Sequence, residues 1–394
     1  MTENLYSPKT VFAQADEAPP RVLVAPQRYV QGSGVIRHIG RYINALMKVK
    51  RVAILASKRG LATEGAKIVA SLSAAGIESV NAQFNGECSR PEIASQLAAL
   101  DSENLDCLIA VGGGKLVDAG KCIAHRLAVP VVIVPTLASN DAPCTALSVL
   151  YTPDGVKDGA EYFPQNPALV VMDTEVVAGA GERYLVAGMG DAMATWYEAK
   201  VCLHNPDART SLGARPTLAA AAIAETCANT LYQYGEAAAQ AVRENRVTEA
   251  LEKVVEANTL LSGVGFESGG LAVAHALAVA FTEIKTVHDN YLHGEMVAVG
   301  TLVQLVLEQS NEAEQVATFF ARIGLPVHLG QLALSPDNPD QLATIIDATL
   351  TNGIAHHMPQ PVTRESLRQA ILDAHQLGVS VVANNGDEAY QRQH

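Results

Sequence analysis

At 394 residues the chain is too long for one ordinary hydrophobic core, so two domains are expected. Hydrophobic residues make up 48% and charged residues 18%, which excludes a disordered protein and describes a globular one with a large buried fraction. A net charge of -13, with no Lys/Arg block, argues against a nucleic-acid partner, and no uninterrupted apolar stretch reaches the length of a membrane span.

The first twenty residues, MTENLYSPKTVFAQADEAPP, are polar and acidic with no apolar h-region, so 1–20 reads as a loose tail and not a signal peptide. A cytoplasmic protein is expected. Short β-rich runs then alternate with helical stretches from about 21 to 178. RVAILAS (51–57) reads as a buried strand, TEGAKIVASLSAAG as a helix ending at Gly76, and LDCLIAV (105–111) as the next strand. A glycine-opened helix, GGGKLVDAGKCIAHRL, follows, then strands over 129–136 and 168–173. Such alternation predicts an α/β domain with a mainly parallel sheet and helices on both faces.

Beyond about 179 the strand pattern disappears. Ala/Leu-rich segments around 183–204, 216–235, 240–262, 270–283, 294–310, 312–323, 339–351 and 364–377 carry helical spacing, so 179–394 should form an all-α domain. The boundary near 175–182 predicts a tight hinge over a cleft, and the crevice between domains is where a ligand is expected. Six cysteines (88, 107, 122, 144, 202, 227) show no CxxC pairing and read as reduced core or loop positions.

Three sites stand out chemically. Gly112, Gly113 and Gly114 end a strand and open a helix, a layout in which backbone N–H groups meet an anionic group, although neither GxGxxG nor GxxxxGK[ST] is matched. Lys115 adds charge there, and Asp118 and Lys121 fall one and nearly two turns further on. Thr136, Ser139, Asn140, Asp141, Thr145 and Ser148 crowd the next strand end, a set of small polar groups suited to a polyhydroxylated ligand. Finally, Asp191 interrupts the apolar run YLVAGMGDAMATWYEA, while His275 and His293 lie in comparable settings. A buried carboxylate needs a cationic partner, and one carboxylate with two imidazoles suits a divalent ion such as Zn2+ with a coordination position left open. The competing reading is that each is separately a satisfied core residue.

The strings VGGGKLVDAGK, PTLASNDAPCTALSVLYTPDG, YLVAGMGDAMATWYEA, LEKVVEANTLLSGVGFESGGLAVAHA and HGEMVAVGTLVQLVLE together resemble the glycerol dehydrogenases of the metal-dependent, iron-type alcohol dehydrogenase superfamily. The resemblance runs from about residue 24 to the C-terminus. It implies the dehydroquinate synthase-like architecture and NAD-linked oxidation of glycerol to dihydroxyacetone. It also implies one Zn2+ held by Asp191, His275 and His293, and a homo-oligomer, commonly an octamer. Asp141 and Phe266 match residues that contact the polyol. Gly112, Gly113, Gly114 and Lys115 match the pyrophosphate turn, and Asp118, Thr136, Ser139, Thr145, Leu147 and Tyr151 complete the implied cofactor set.

Three departures from the family pattern involve four positions. Ser57, followed by Lys58 and Arg59, stands where an acidic residue usually ends the first nucleotide strand, so NADP is expected to be tolerated beside NAD. Ala278 and Val279 stand where HAxHNG is common, and Met296 where HGEK is usual. The apolar replacements predict a pocket that also accepts a methyl-ended diol such as 1,2-propanediol. His288 is a candidate proton carrier, with a surface role and a solvent chain as alternatives. A carbon–oxygen lyase acting on a sugar phosphate is disfavoured because no Lys/Arg cluster surrounds the ligand residues. A metal- and nucleotide-binding sensor is the non-enzymatic alternative.

Overall fold

The computed structural model describes residues 6–14 and 17–394. Six strands form one fully parallel sheet in the order β1-β8-β5-β4-β2-β3: β1 (Tyr29–Gly32), β2 (Arg51–Ala56), β3 (Glu78–Gln83), β4 (Cys107–Gly112), β5 (Val131–Pro135) and β8 (Leu169–Asp173). In β2, β4, β5 and β8 nearly every residue is buried, which is why they read as unbroken aliphatic runs. Edge strand β3, ESVNAQ, exposes most of its residues and carries no apolar run, so composition hid it.

The polar stretch after β5 contains a separate antiparallel hairpin, β6 (Leu147–Tyr151) and β7 (Lys157–Tyr162), which the sequence pattern does not predict. Its exposed strand KDGAEY has no buried face to generate a pattern. Part of the expected tail, Lys9–Phe12, forms one helical turn, and the start of that turn lies against Gly213 in the helical half. Residues 1–5 and 15–16 lie outside the described residues.

After Asp173 the described chain contains helices and no strand. Helix Glu182–His204 is central, packed against Leu218–Arg243 and His293–Leu307. Met189, Met193, Tyr197, Phe281 and Phe320 fill the core of this half. The expected helix over 240–262 is shifted along the chain: its first residues belong to Leu218–Arg243, and a continuous rod starts later, Glu249–Glu256 running through a π-helical turn, Ala257–Leu261, into Ser262–Gly269. Two glycines set the crossing of the central helices. A Cβ on Gly294 would sit 1.7 Å from the Ala187 carbonyl oxygen, and one on Gly190 would sit 2.4 Å from that of Gly294. Only hydrogen side chains allow this approach, and it places Asp191 next to His293.

Candidate metal centre and cofactor cleft

Asp191 projects from the middle of helix Glu182–His204, His275 from the first turn of Val273–Phe281, and His293 is the first residue of His293–Leu307. The Asp191 Oδ1 lies 3.2 Å from His275 Nε2 and 3.4 Å from His293 Nε2. One ligand atom from each of the three falls within 4.8 Å of the others. Asp191 is buried, while 44% of the His293 side chain remains accessible, so the cluster has one open side.

Glu198, which sequence reading missed, holds the next layer. It is wholly buried, and its carboxylate lies 2.5 Å from His275 Nδ1 while accepting the N–H groups of Ala272 (2.8 Å) and His275 (2.9 Å). A proton on Nδ1 donated to Glu198 leaves the Nε2 lone pair aimed at Asp191, the tautomer a metal ligand requires. The available signal was spacing, since Glu198 follows Asp191 by two helical turns and shares its face.

Burial alone would raise the pKa of Asp191, but His293 and His275 outweigh it and hold the carboxyl below its usual range. Burial pushes the His293 imidazole down toward the neutral form. For His275 burial acts downward, yet Glu198 and Asp191 dominate and lift its pKa well above normal. Nearby Asp141 is raised to about 8, first by burial and then by the Asp191 charge, and its Oδ2 accepts a 2.9 Å hydrogen bond from Ser262. Three carboxylates thus gather around two imidazoles. A divalent cation at the meeting point of Asp191, His275 and His293 would offset the carboxylate charge there, and an oxygen-and-nitrogen donor set suits Zn2+ or Fe2+. The residues present therefore fit a metal.

Phe266 lies parallel to the His275 ring, with centroids 6.2 Å apart. The rod that carries it also grips the polar stretch after β5. Asn258 donates to the Ala138 carbonyl (2.9 Å), Ser262 bonds Asp141, and Glu267 accepts from the Ala146 N–H (2.9 Å) and from Asn166 (2.6 Å). Asp141 is in this way fixed from the helical half although it belongs to the sheet half. His288 is occupied elsewhere: its Nε2 donates to the Gly155 carbonyl in the hairpin turn (2.9 Å), and its Nδ1 lies 3.1 Å from Asp289. It ties the hairpin to the helical half.

A cavity of about 550 Å³ opens at the carboxyl ends of β2, β4 and β5, lined among others by Ser57, Arg59, Lys67, Gly112, Thr136 and Tyr184. From β2 the chain moves to β3 at one edge, and then to β4 and β5 on the other side. Between β2 and β4 lies the switch point at which open α/β sheets bind ligands. None of Gly112, Gly113 and Gly114 takes a left-handed backbone; their small size is what the turn uses, a Cβ on Gly114 coming within 2.9 Å of Asn140 Nδ2. Lys115 pairs with Glu87 (2.6 Å) and lies 5.8 Å from the centre of the Tyr151 ring on β6, where Leu147 also sits.

Of the expected cofactor set, Ser57, Gly112 and Thr136 line this cavity, whereas Gly113, Gly114, Lys115, Asp118, Ser139, Thr145, Leu147 and Tyr151 do not, and two of these, Asp118 and Thr145, are buried. Asp118 faces the interior, where it pairs with buried Lys121 (2.9 Å) and accepts the Val149 N–H (3.0 Å), so its expected cofactor contact is corrected to a structural one. Thr145 is fully buried, its hydroxyl donating to the Ala142 carbonyl (3.2 Å) with Lys121 Nζ at 3.4 Å. Lys121 also donates to the carbonyls of Ala142 and Leu147. This buried ammonium, given no role from sequence, pins the segment that follows Asp141.

The profile of the family described as "Iron-containing alcohol dehydrogenase" matches residues 26–174. A glycerol dehydrogenase of Escherichia coli O6:H1 is 44% identical over 361 residues, covering 91% of this chain and 97% of that protein. A glycolaldehyde reductase of Halobacterium salinarum is 38% identical over 362 residues, covering 91% and 98%. The crystal structure of glycerol dehydrogenase from Schizosaccharomyces pombe superposes with a TM-score of 0.88 at 35% identity, covering 95% of each chain.

Proposed function

The chain belongs to the glycerol dehydrogenase family within the iron-containing alcohol dehydrogenases, and we propose that it oxidises glycerol to dihydroxyacetone, and the reverse, by hydride transfer to NAD. The observation that carries this reading is the convergence of Asp191, His275 and His293 on one point, with Asp141 beside it. We assign residues 21–178 to dinucleotide binding and 179–394 to metal and substrate binding, in a chain that works as a homo-oligomer.

Asp191, His275 and His293 would hold one Zn2+, which supplies the Lewis acidity that makes a bound hydroxyl's proton labile near neutral pH. The protein's own part is placement. Asp141, held by Ser262, offers its other carboxylate oxygen to a hydroxyl of the polyol, and Phe266 closes the apolar side against the His275 ring. Gly112 and Thr136 border the cofactor cleft, and the backbone turn of Gly112, Gly113 and Gly114 suits a pyrophosphate. NAD is the hydride acceptor, and the cleft sets which carbon faces it. With Ser57 in place of an acid, NADP is admitted as well.

The test is NAD reduction with glycerol before chelation, after it, and after return of Zn2+ or Fe2+. Activity lost to the chelator and restored by Zn2+ supports the reading, whereas turnover indifferent to chelation removes the metal from it. A second reading, oxidation of another small diol, draws on Ala278, buried one turn beyond His275, and partly exposed Val279, neither of which carries a polar side-chain atom. A pocket contact of this kind is worth about 1–3 kcal/mol. On this second reading kcat/KM for 1,2-propanediol equals or exceeds that for glycerol, and a strong glycerol preference rejects it.

A further inference from the structure

At the far end of the cofactor cleft, the cavity at the switch point holds an arrangement that nothing above explains. Arg59, on the short helix Lys58–Ala62, and Lys67, on helix Glu64–Ala74, both line it, and both residues are exposed. Among the described residues neither side chain makes a hydrogen bond or ion pair, although most arginines of the chain are engaged.

Of the two acids on the same wall, one is already paired with a cation. Glu175 is bound to Arg37 (2.6 Å) and to Ser33 (2.7 Å), and Glu64 accepts the Thr63 hydroxyl. Ser57, directly after β2, caps its helix by accepting the Gly60 N–H at 3.1 Å and places no negative charge at the strand end. Lys58 does not line the cavity. Two cations without an ion pair therefore face a cleft in which Glu64 is the one lining acid without a cationic partner among the described residues, in a protein of net charge -13. Cations on one cavity wall in an acidic protein mark a place for an anion, and a guanidinium and an ammonium lining the same cavity suit a phosphate.

We propose that Arg59 and Lys67 form a phosphate subsite for the adenosine 2′-phosphate of NADP. The proposal rests on the reading of this cleft as a dinucleotide site. It goes further than the missing acid at Ser57, since removal of repulsion makes NADP tolerable whereas two positioned cations make its extra phosphate a source of affinity. The end of β2 is where an open α/β fold discriminates the ribose 2′ position, by an acid for the hydroxyl or an arginine for the phosphate.

The test is calorimetric titration of the full-length protein with 2′,5′-ADP and with 5′-AMP, which differ only in the 2′-phosphate. Tighter binding of 2′,5′-ADP by about tenfold or more is expected, because a charge-assisted contact of this kind is worth roughly that factor. Lys67→Gln and Arg59→Gln should each shrink the ratio, leave 5′-AMP affinity within about twofold, and together abolish the preference. Both positions are exposed, so the variants should fold, and an unchanged circular dichroism spectrum checks this. Equal or weaker binding of 2′,5′-ADP by the parent, or a preference that survives the double variant, overturns the proposal while leaving the NAD reading intact. Failure of both nucleotides to bind overturns the dinucleotide reading and the subsite with it.

Discussion

The metal corner and the nucleotide end of the cleft are built by opposite means. At the candidate metal corner, side chains from three helices meet in a space open on one side, and their positions depend on a glycine-lined helix crossing and on the Glu198 carboxylate behind His275. At the nucleotide end, strand termini and a glycine turn present backbone, and the charged side chains that reach the cavity are exposed. Chemistry at the first site therefore depends on packing, and at the second on charge at the surface. Substitutions at the metal corner should act as near all-or-none changes, and those at the nucleotide end as graded ones.

The sharpest break comes from removing a ligand. Asp191→Ala and His275→Ala should each lower glycerol oxidation by at least about a thousandfold, because several kcal/mol of charge stabilisation is lost with the ion. Bound metal, measured by atomic absorption, should fall from about one per chain to near zero, while the circular dichroism spectrum stays that of the parent. A variant that keeps its metal or its turnover would show that the three side chains do not act as a set.

A smaller effect is expected one layer out. Glu198→Gln keeps the shape but loses the charge that orients His275, so Zn2+ affinity should weaken by about 10–100-fold. Competition with a chelating dye reads this directly. Loss of thermal stability in the chelated protein with no change in metal affinity would instead assign Glu198 to the core alone.

The smallest effect concerns the contact between the two halves. Burial raises Glu267 to about 7, and the Ala146 N–H and Asn166 amide that donate to it only partly offset that cost. In the unfolded chain a glutamate titrates near about 4.3, so the folded state binds this proton more tightly. The resulting stability is fully present below about pH 4.3 and is lost as pH rises through about 7. Glu267→Gln, which keeps an acceptor without the charge, should come closest to the parent near about pH 4 and exceed its Tm by about 2–4 °C at pH 8. A difference that does not change with pH would mean that Glu267 is already ionised in the folded protein.

The same contrast between the regions governs what could be read in advance. Asp191, His275 and His293 were legible because a polar residue inside an apolar helical run is anomalous in sequence as in space. The buried strands β2, β4, β5 and β8 announced themselves as aliphatic runs. β3 and the hairpin β6–β7 did not, because an exposed strand needs no apolar pattern. Glu198 sits in YEAK, where a glutamate reads as a solvated face, and only the helix packing shows it to be buried. Lys67 lies on a helix whose exposed residues look ordinary until the cavity beside β2 is seen. Asp118 went the other way, since its place near the glycine turn suggested the cleft and the fold turned it toward Lys121.

The sequence by itself determined the α/β half followed by a helical half, the family, and the three candidate ligands, because periodicity and unusual local composition are properties of neighbours along the chain. Tertiary structure alone decided which carboxylate supports His275, which helix fixes Asp141, and which cations line the cavity beside β2. The first two relations join residues 77 and 121 positions apart through burial and packing, and the third depends on where two helices meet the carboxyl edge of the sheet, so no local pattern records them.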